Sequence, residues 1–149
     1  MIVVDTSALV AIAFGEPERN TFLRAIRAAS KSLVSTVSVV ECRMVVHGRR
    51  GQRAVIVLDD LLKLPHFELT PPSATEADAA YAAFVAFGKG SGHPAGLNFG
   101  DVFSYALAKV RRLPLLYKGE DFIHTDIASV LTDITAAALS DERSNRDPQ

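Results

Sequence analysis

Residues 98–122, NFGDVFSYALAKVRRLPLLYKGEDF, leave few architectures open to this chain. An apolar helical stretch opening on Asp101 passes through Leu113 and Pro114 into the short run Leu115-Leu116-Tyr117, which stops at Glu120 and Asp121. If the strand is parallel to its neighbours, the helix before it runs the opposite way. The helix N-terminus and the strand C-terminus then share one edge of the sheet. Asp101 and Asp121 meet at that edge, where open α/β sheets bind their ligands.

The same grammar recurs along the chain. Met1 to Val4 is a β-branched run stopped by Asp5-Thr6-Ser7, and apolar residues resume at helical spacing over 8–14. Gly15-Glu16-Pro17 breaks this helix, and Pro17 suits the first position of a second one that ends near Ser30. Residues 32–36 read as the next strand. A helix from Ser38 places Glu41 in its first turn and ends at Gly48 or Gly51, and another covers 55–64 until Pro65. Phe67 to Thr70 is a third strand, and Ser73 caps an alanine-rich helix reaching Phe87. A loop rich in glycine, 88–96, then leads to the 98–122 stretch, and 127–131 offers a last strand. Strands alternating with helices imply an α/β fold, a three-layer α/β/α sandwich with a mainly parallel sheet.

Length permits one domain with a sizeable core: 149 residues, 48% of them hydrophobic. That domain is expected over 1–135, with 136–149 a polar tail expected to be disordered, since 140–149 holds no apolar residue. The formal charge of −1 gives no global pull toward nucleic acid, so any such binding rests on local patches. A single cysteine, Cys42, excludes an internal disulfide and a cysteine zinc site, which suits the reducing cytoplasm. Asp5 interrupts the apolar N-terminus, no basic segment precedes it, and no run approaches the ~18 apolar residues of a membrane span. A soluble cytoplasmic protein with no membrane partner is expected.

Four carboxylates carry the chemistry. Each has a local structural role open to it: Asp5 as a helix cap, Ser38 with Glu41 as a capping box, Asp101 as a first-turn charge behind Asn98, Asp121 as a turn residue. Their shared location argues for more. Asp5 and Asp121 follow strands while Glu41 and Asp101 open helices, so the topology gathers all four at the carboxyl edge of the sheet. Like charges in one cleft raise each other's pKa and destabilise the fold unless a cation neutralises them. Carboxylates without thiols or paired histidines favour Mg²⁺, or Mn²⁺, over zinc. Such an ion activates water and offsets charge in phosphoryl transfer. His47, His66, His93 and His124 show no ligand spacing. Among the basic residues, Arg49, Arg50, Arg53, Lys89 and Lys118 are candidates to hold phosphate, and Lys89 and Lys118 stand nearest the motifs.

Val3-Val4-Asp5-Thr6-Ser7-Ala8-Leu9, a helix-borne Glu41, Leu97-Asn98-Phe99-Gly100-Asp101 and 115–122 together resemble the PIN-domain ribonucleases, specifically the VapC-type toxins of bacterial toxin-antitoxin pairs. The resemblance runs from residue 2 to about 131. It implies a Mg²⁺- or Mn²⁺-dependent endoribonuclease, a homodimer, and a VapB-type antitoxin as partner. By position, Asp5, Glu41 and Asp101 match the family's acidic triad, with Asp5 and Asp101 the metal ligands. Asp121 takes the fourth place, with Glu120 as its substitute. A haloacid-dehalogenase-type phosphatase would need a second Asp where this chain has Ser7. An inert RNA- or partner-binding module on the same fold is the non-enzymatic alternative, and the acidic set argues against it.

Overall fold

The computed structural model describes residues 1–132 and places them in a four-stranded, wholly parallel sheet of order β3-β2-β1-β4. The strands are β1 (Ile2–Val4), β2 (Ser32–Ser35), β3 (Phe67–Thr70) and β4 (Leu115–Leu116). Between them run α1 (Thr6–Phe14), α2 (Arg19–Ala28), α3 (Thr36–Leu62), α4 (Ala74–Phe87) and α5 (Phe99–Arg111), and a short 3-10 helix covers Asp121–His124. Strands buried on both faces need helices on both sides. Ile2 and Val4 face one core with α1, α2 and α3, while Val3, between them, faces the other with α4 and α5. The expected three-layer sandwich is the fold.

Its element limits differ from those expected in three places. Pro17 lies in a turn, and α2 starts two residues later behind Glu18. The helix carrying Glu41 begins at Thr36, because Ser35 Oγ accepts from the Val37 amide and ends β2 one residue early. Ser38 is therefore interior to α3, where its hydroxyl meets Ser104 Oγ of α5 at 3.1 Å. No Ser38–Glu41 capping box forms, and Glu41 stands in the second turn. The expected break between two helices falls at Gly51 rather than Gly48: at φ 73°, ψ −176° its backbone is not helical, a conformation costly for any residue with a Cβ, so α3 is two helices meeting at a kink there. The last strand over 127–131 reduces to an isolated parallel bridge of Ser129 with Leu115, and helix resumes at Val130. The tail at 136–149 lies outside the described residues.

Helix α4 is capped as expected by Ser73 with Glu76 in a full capping box. Glu76 is buried and also accepts from Arg111 Nε of α5 at 3.2 Å, which ties the two helices together. Their outer face remains apolar, with Tyr81 71% and Phe99 74% exposed.

Candidate active site

Parallel pairing brings the strand ends together at one edge, and each carboxylate arrives there on a different element. Asp5 directly follows β1; its amide donates to the Leu116 carbonyl of β4, and its Oδ2 caps α1 by accepting from the Ser7 amide at 2.9 Å. The Ser7 hydroxyl donates to the same Oδ2 at 2.6 Å and accepts from the Lys118 amide at 3.0 Å. Ser7 thus joins Asp5 to the segment after β4 that carries Asp121. Asp101 occupies the first turn of α5 in a reciprocal capping box with Asn98. Glu41 reaches in from α3, with Oε2 accepting from the Thr6 hydroxyl at 2.8 Å.

Asp5, Glu41, Asp101 and Asp121 line one cleft, together with Thr6, Ser7, Glu16, Arg49, Asn98 and Lys118. The geometry separates the two candidates for the fourth acid: Asp121, at the start of the 3-10 helix, lines the cleft, and Glu120, its N-cap, does not. None of the four histidines lines it, and Lys89 lines a different pocket, between α4 and α5. Gly100 and Glu16 escaped the sequence reading. A Cβ on Gly100 would come within 2.0 Å of Glu41 Oε2, so only glycine leaves room for that carboxylate as placed. The signal available was a glycine inside the first turn of a helix, which costs about 1 kcal/mol relative to alanine and so invites a packing reason.

The electrostatics follow from burial and crowding. Asp101 is buried, and desolvation pushes its pKa up to about 7; the capping bond from Asn98 opposes the rise, while Asp5, Glu41 and Asp121 add to it. Glu41 is raised too, first by burial and then by Asp5, against the lowering bond from Thr6. Asp5 is 1% exposed, and its Oδ1 makes no hydrogen bond among the described residues. An orphaned buried carboxylate oxygen costs roughly 1–3 kcal/mol or more unless something binds it.

The donor set fits a hard divalent cation: carboxylate oxygens from Asp5 and Asp101, one of them without a partner. Among the described residues no group of three or more Asp, Glu, His or Cys is already closed around a metal position.

A model of the PIN domain family matches residues 2–128. The chain is 48% identical over 129 residues to ribonuclease VapC30 of Mycobacterium tuberculosis, covering 87% of this chain and 98% of that protein. It is 45% identical to ribonuclease VapC of Mycolicibacterium smegmatis over 129 residues, 87% of this chain and 99% of that one. Among solved structures it is similar to Mycobacterium tuberculosis VapC20, a toxin described as cleaving the sarcin-ricin loop, with TM-score 0.71, 19% identity and coverage of 86% and 97%. It also matches FitAcB from Neisseria gonorrhoeae, with TM-score 0.61, 24% identity and coverage of 87% and 96%. These two structural likenesses speak to the fold.

Proposed function

This chain belongs to the PIN-domain family, and from that premise we propose that it is a VapC-type endoribonuclease, the toxin of a toxin-antitoxin pair. The observation that carries the reading is the convergence of Asp5, Glu41, Asp101 and Asp121 on one cleft, in a chain nearly half identical to named VapC ribonucleases. Asp5 and Asp101 would hold Mg²⁺ or Mn²⁺, which when bound would supply an activated water and neutralise charge on the scissile phosphodiester. Glu41 is held against Gly100 by Thr6 through Oε2, and its carboxylate is placed to orient the attacking water and accept its proton. Asp121 completes the acidic wall, and Ser7 positions Asp5 through Oδ2, which leaves Oδ1 for the cation. An inert binding module finds no support in a cleft that keeps all four acids.

The enzyme acts in the cytoplasm; no helix among the described residues is long and apolar enough to cross a membrane. Its partner is a VapB-type antitoxin. An apolar groove lined by Ile12, Phe14, Leu23, Ile26, Leu58 and Leu61, between α1, α2 and the second half of α3, suits an amphipathic segment. The exposed apolar face of α4 and α5 suits a second copy of the chain in a homodimer.

Two measurements test the reading. Protein freed of any co-purifying partner is expected to cleave a mixed RNA pool with Mg²⁺ and to stop on chelation; persistence of cleavage in excess EDTA would refute the metal assignment. Gly100→Ala is expected to fold normally yet lose activity roughly 10²-fold, because the new methyl displaces the Glu41 carboxylate from its place. Wild-type activity in that variant would detach Glu41 from the reaction.

A further inference from the structure

A cleft built of carboxylates repels the phosphates of its substrate, so the question is which cation admits RNA. Among the described residues, two basic side chains line it, Arg49 and Lys118. Lys118 Nζ is already committed, donating to Glu16 Oε2 at 2.6 Å and Glu18 Oε2 at 3.1 Å. This pairing fastens the turn between α1 and α2 to the segment after β4, and it leaves Lys118 little charge to offer. Lys89 stands outside the cleft. Both cations favoured by their place in the sequence are therefore poorly set to hold the substrate.

Arg49 differs. It is exposed, and among the described residues its guanidinium makes no ion pair. It lies over the Phe14 ring at 5.6 Å, and the neighbouring Arg50 lies over the same ring at 4.7 Å, likewise without an acidic partner. Two guanidiniums sharing one ring repel each other, and a cation–π contact at an exposed site returns only about 0.5–1 kcal/mol. An anion between or beside them would relieve that repulsion. Arg49 also stays out of ion pairs with the nearby carboxylates, which keeps its planar fork open for a bidentate ligand.

We propose that Arg49, held by the Phe14 ring, is the phosphate-binding residue of the cleft, gripping a backbone phosphate of the RNA beside the acidic group while Arg50 supports it from the rim. The inference rests on the ribonuclease reading and adds the residue that sets the substrate's register.

The test is equilibrium binding of a single-stranded RNA oligonucleotide in EDTA, where cleavage is stopped, at several monovalent salt concentrations, alongside Mg²⁺-dependent cleavage. Arg49→Gln is expected to bind about tenfold more weakly. Its slope of log K against log salt is expected to fall by about 0.7, one phosphate contact on a single strand. Arg49→Lys should keep the wild-type slope, since the charge stays, and should bind with intermediate affinity because the fork is lost. Melting temperatures of both variants should match wild type. Wild-type slope and affinity in Arg49→Gln, with wild-type protein cleaving RNA, overturns the phosphate grip and leaves the ribonuclease reading standing. Equal losses in Arg49→Gln and Arg49→Lys without a change of slope also overturn it, assigning Arg49 to packing on Phe14. Wild-type protein that neither binds nor cleaves RNA brings down the ribonuclease reading, and this inference with it.

Discussion

Asp101→Asn is expected to reduce RNA cleavage by roughly 10²–10³-fold while raising the melting temperature of the metal-free protein. The loss of activity follows from removing a charged ligand and stabiliser at the centre of the site, a change that typically costs about that factor. The gain in stability follows from the cleft itself. Asp101 is buried among Asp5, Glu41 and Asp121, and burial and repulsion together hold its pKa near 7, so a full charge there works against the fold. Asparagine keeps the oxygen that accepts from the Asn98 amide at 2.8 Å and so preserves the capping box. Relief of about 1–2 kcal/mol would raise the melting temperature by roughly 2–8 °C at this chain length. Asp101→Ala should be equally inactive but gain less, because it gives up the side-chain bond to the helix N-terminus, worth about 1 kcal/mol. Circular dichroism melts and RNA cleavage on the same preparations decide it. An active Asp101→Asn would remove Asp101 from the chemistry.

The second large effect is a pH-dependent response to Mg²⁺. A carboxyl group whose folded pKa lies above its unfolded one binds more protons in the native state. It favours folding at low pH, and that contribution is lost as pH rises from the unfolded value of 3.8 toward about 7. Glu41 acts in the same direction. Across that window the metal-free protein should lose stability steadily relative to Asp101→Asn as pH rises. Glu76 and Asp126 work the other way: their pKa values are depressed, and their stabilisation fades only as pH falls through the ordinary carboxylate range. Melts between pH 5 and 8 therefore isolate the cleft. Saturating Mg²⁺ selects the ionised carboxylates, so it should raise the melting temperature more at pH 8 than at pH 5.5, where it must first displace a proton. Asp101→Asn should lose most of this difference. A Mg²⁺ shift of the same size at both pH values would place the ion elsewhere.

The amino-acid sequence by itself determined the layered architecture and the edge where the acids meet. Those properties rest on short-range signals: β-branched runs broken by Asp5-Thr6-Ser7, Ser73 three residues before Glu76, Asn98 three before Asp101, and the helix-to-strand passage through Leu113-Pro114. Once strands alternate with helices in a parallel sheet, their carboxyl ends must share an edge, whatever the detailed packing.

Only the tertiary structure decided what each group at that edge does, because the deciding partners lie far apart in the chain. Glu41 could be read as half of a local capping box with Ser38; it is instead bound by Thr6, 35 residues earlier, over a glycine from α5. Ser7, next to the turn after β1, accepts from the Lys118 amide 111 positions away and so couples Asp5 to the Asp121 segment. Lys118 stands near the acidic motif in sequence, but Glu16 and Glu18, about a hundred residues before it, pack against it and take up its charge. Local spacing fixes backbone conformation because caps and turns are satisfied within a few residues. The ionisation and availability of a side chain depend on burial and on the charges packed around it, and those are settled only when the layers close.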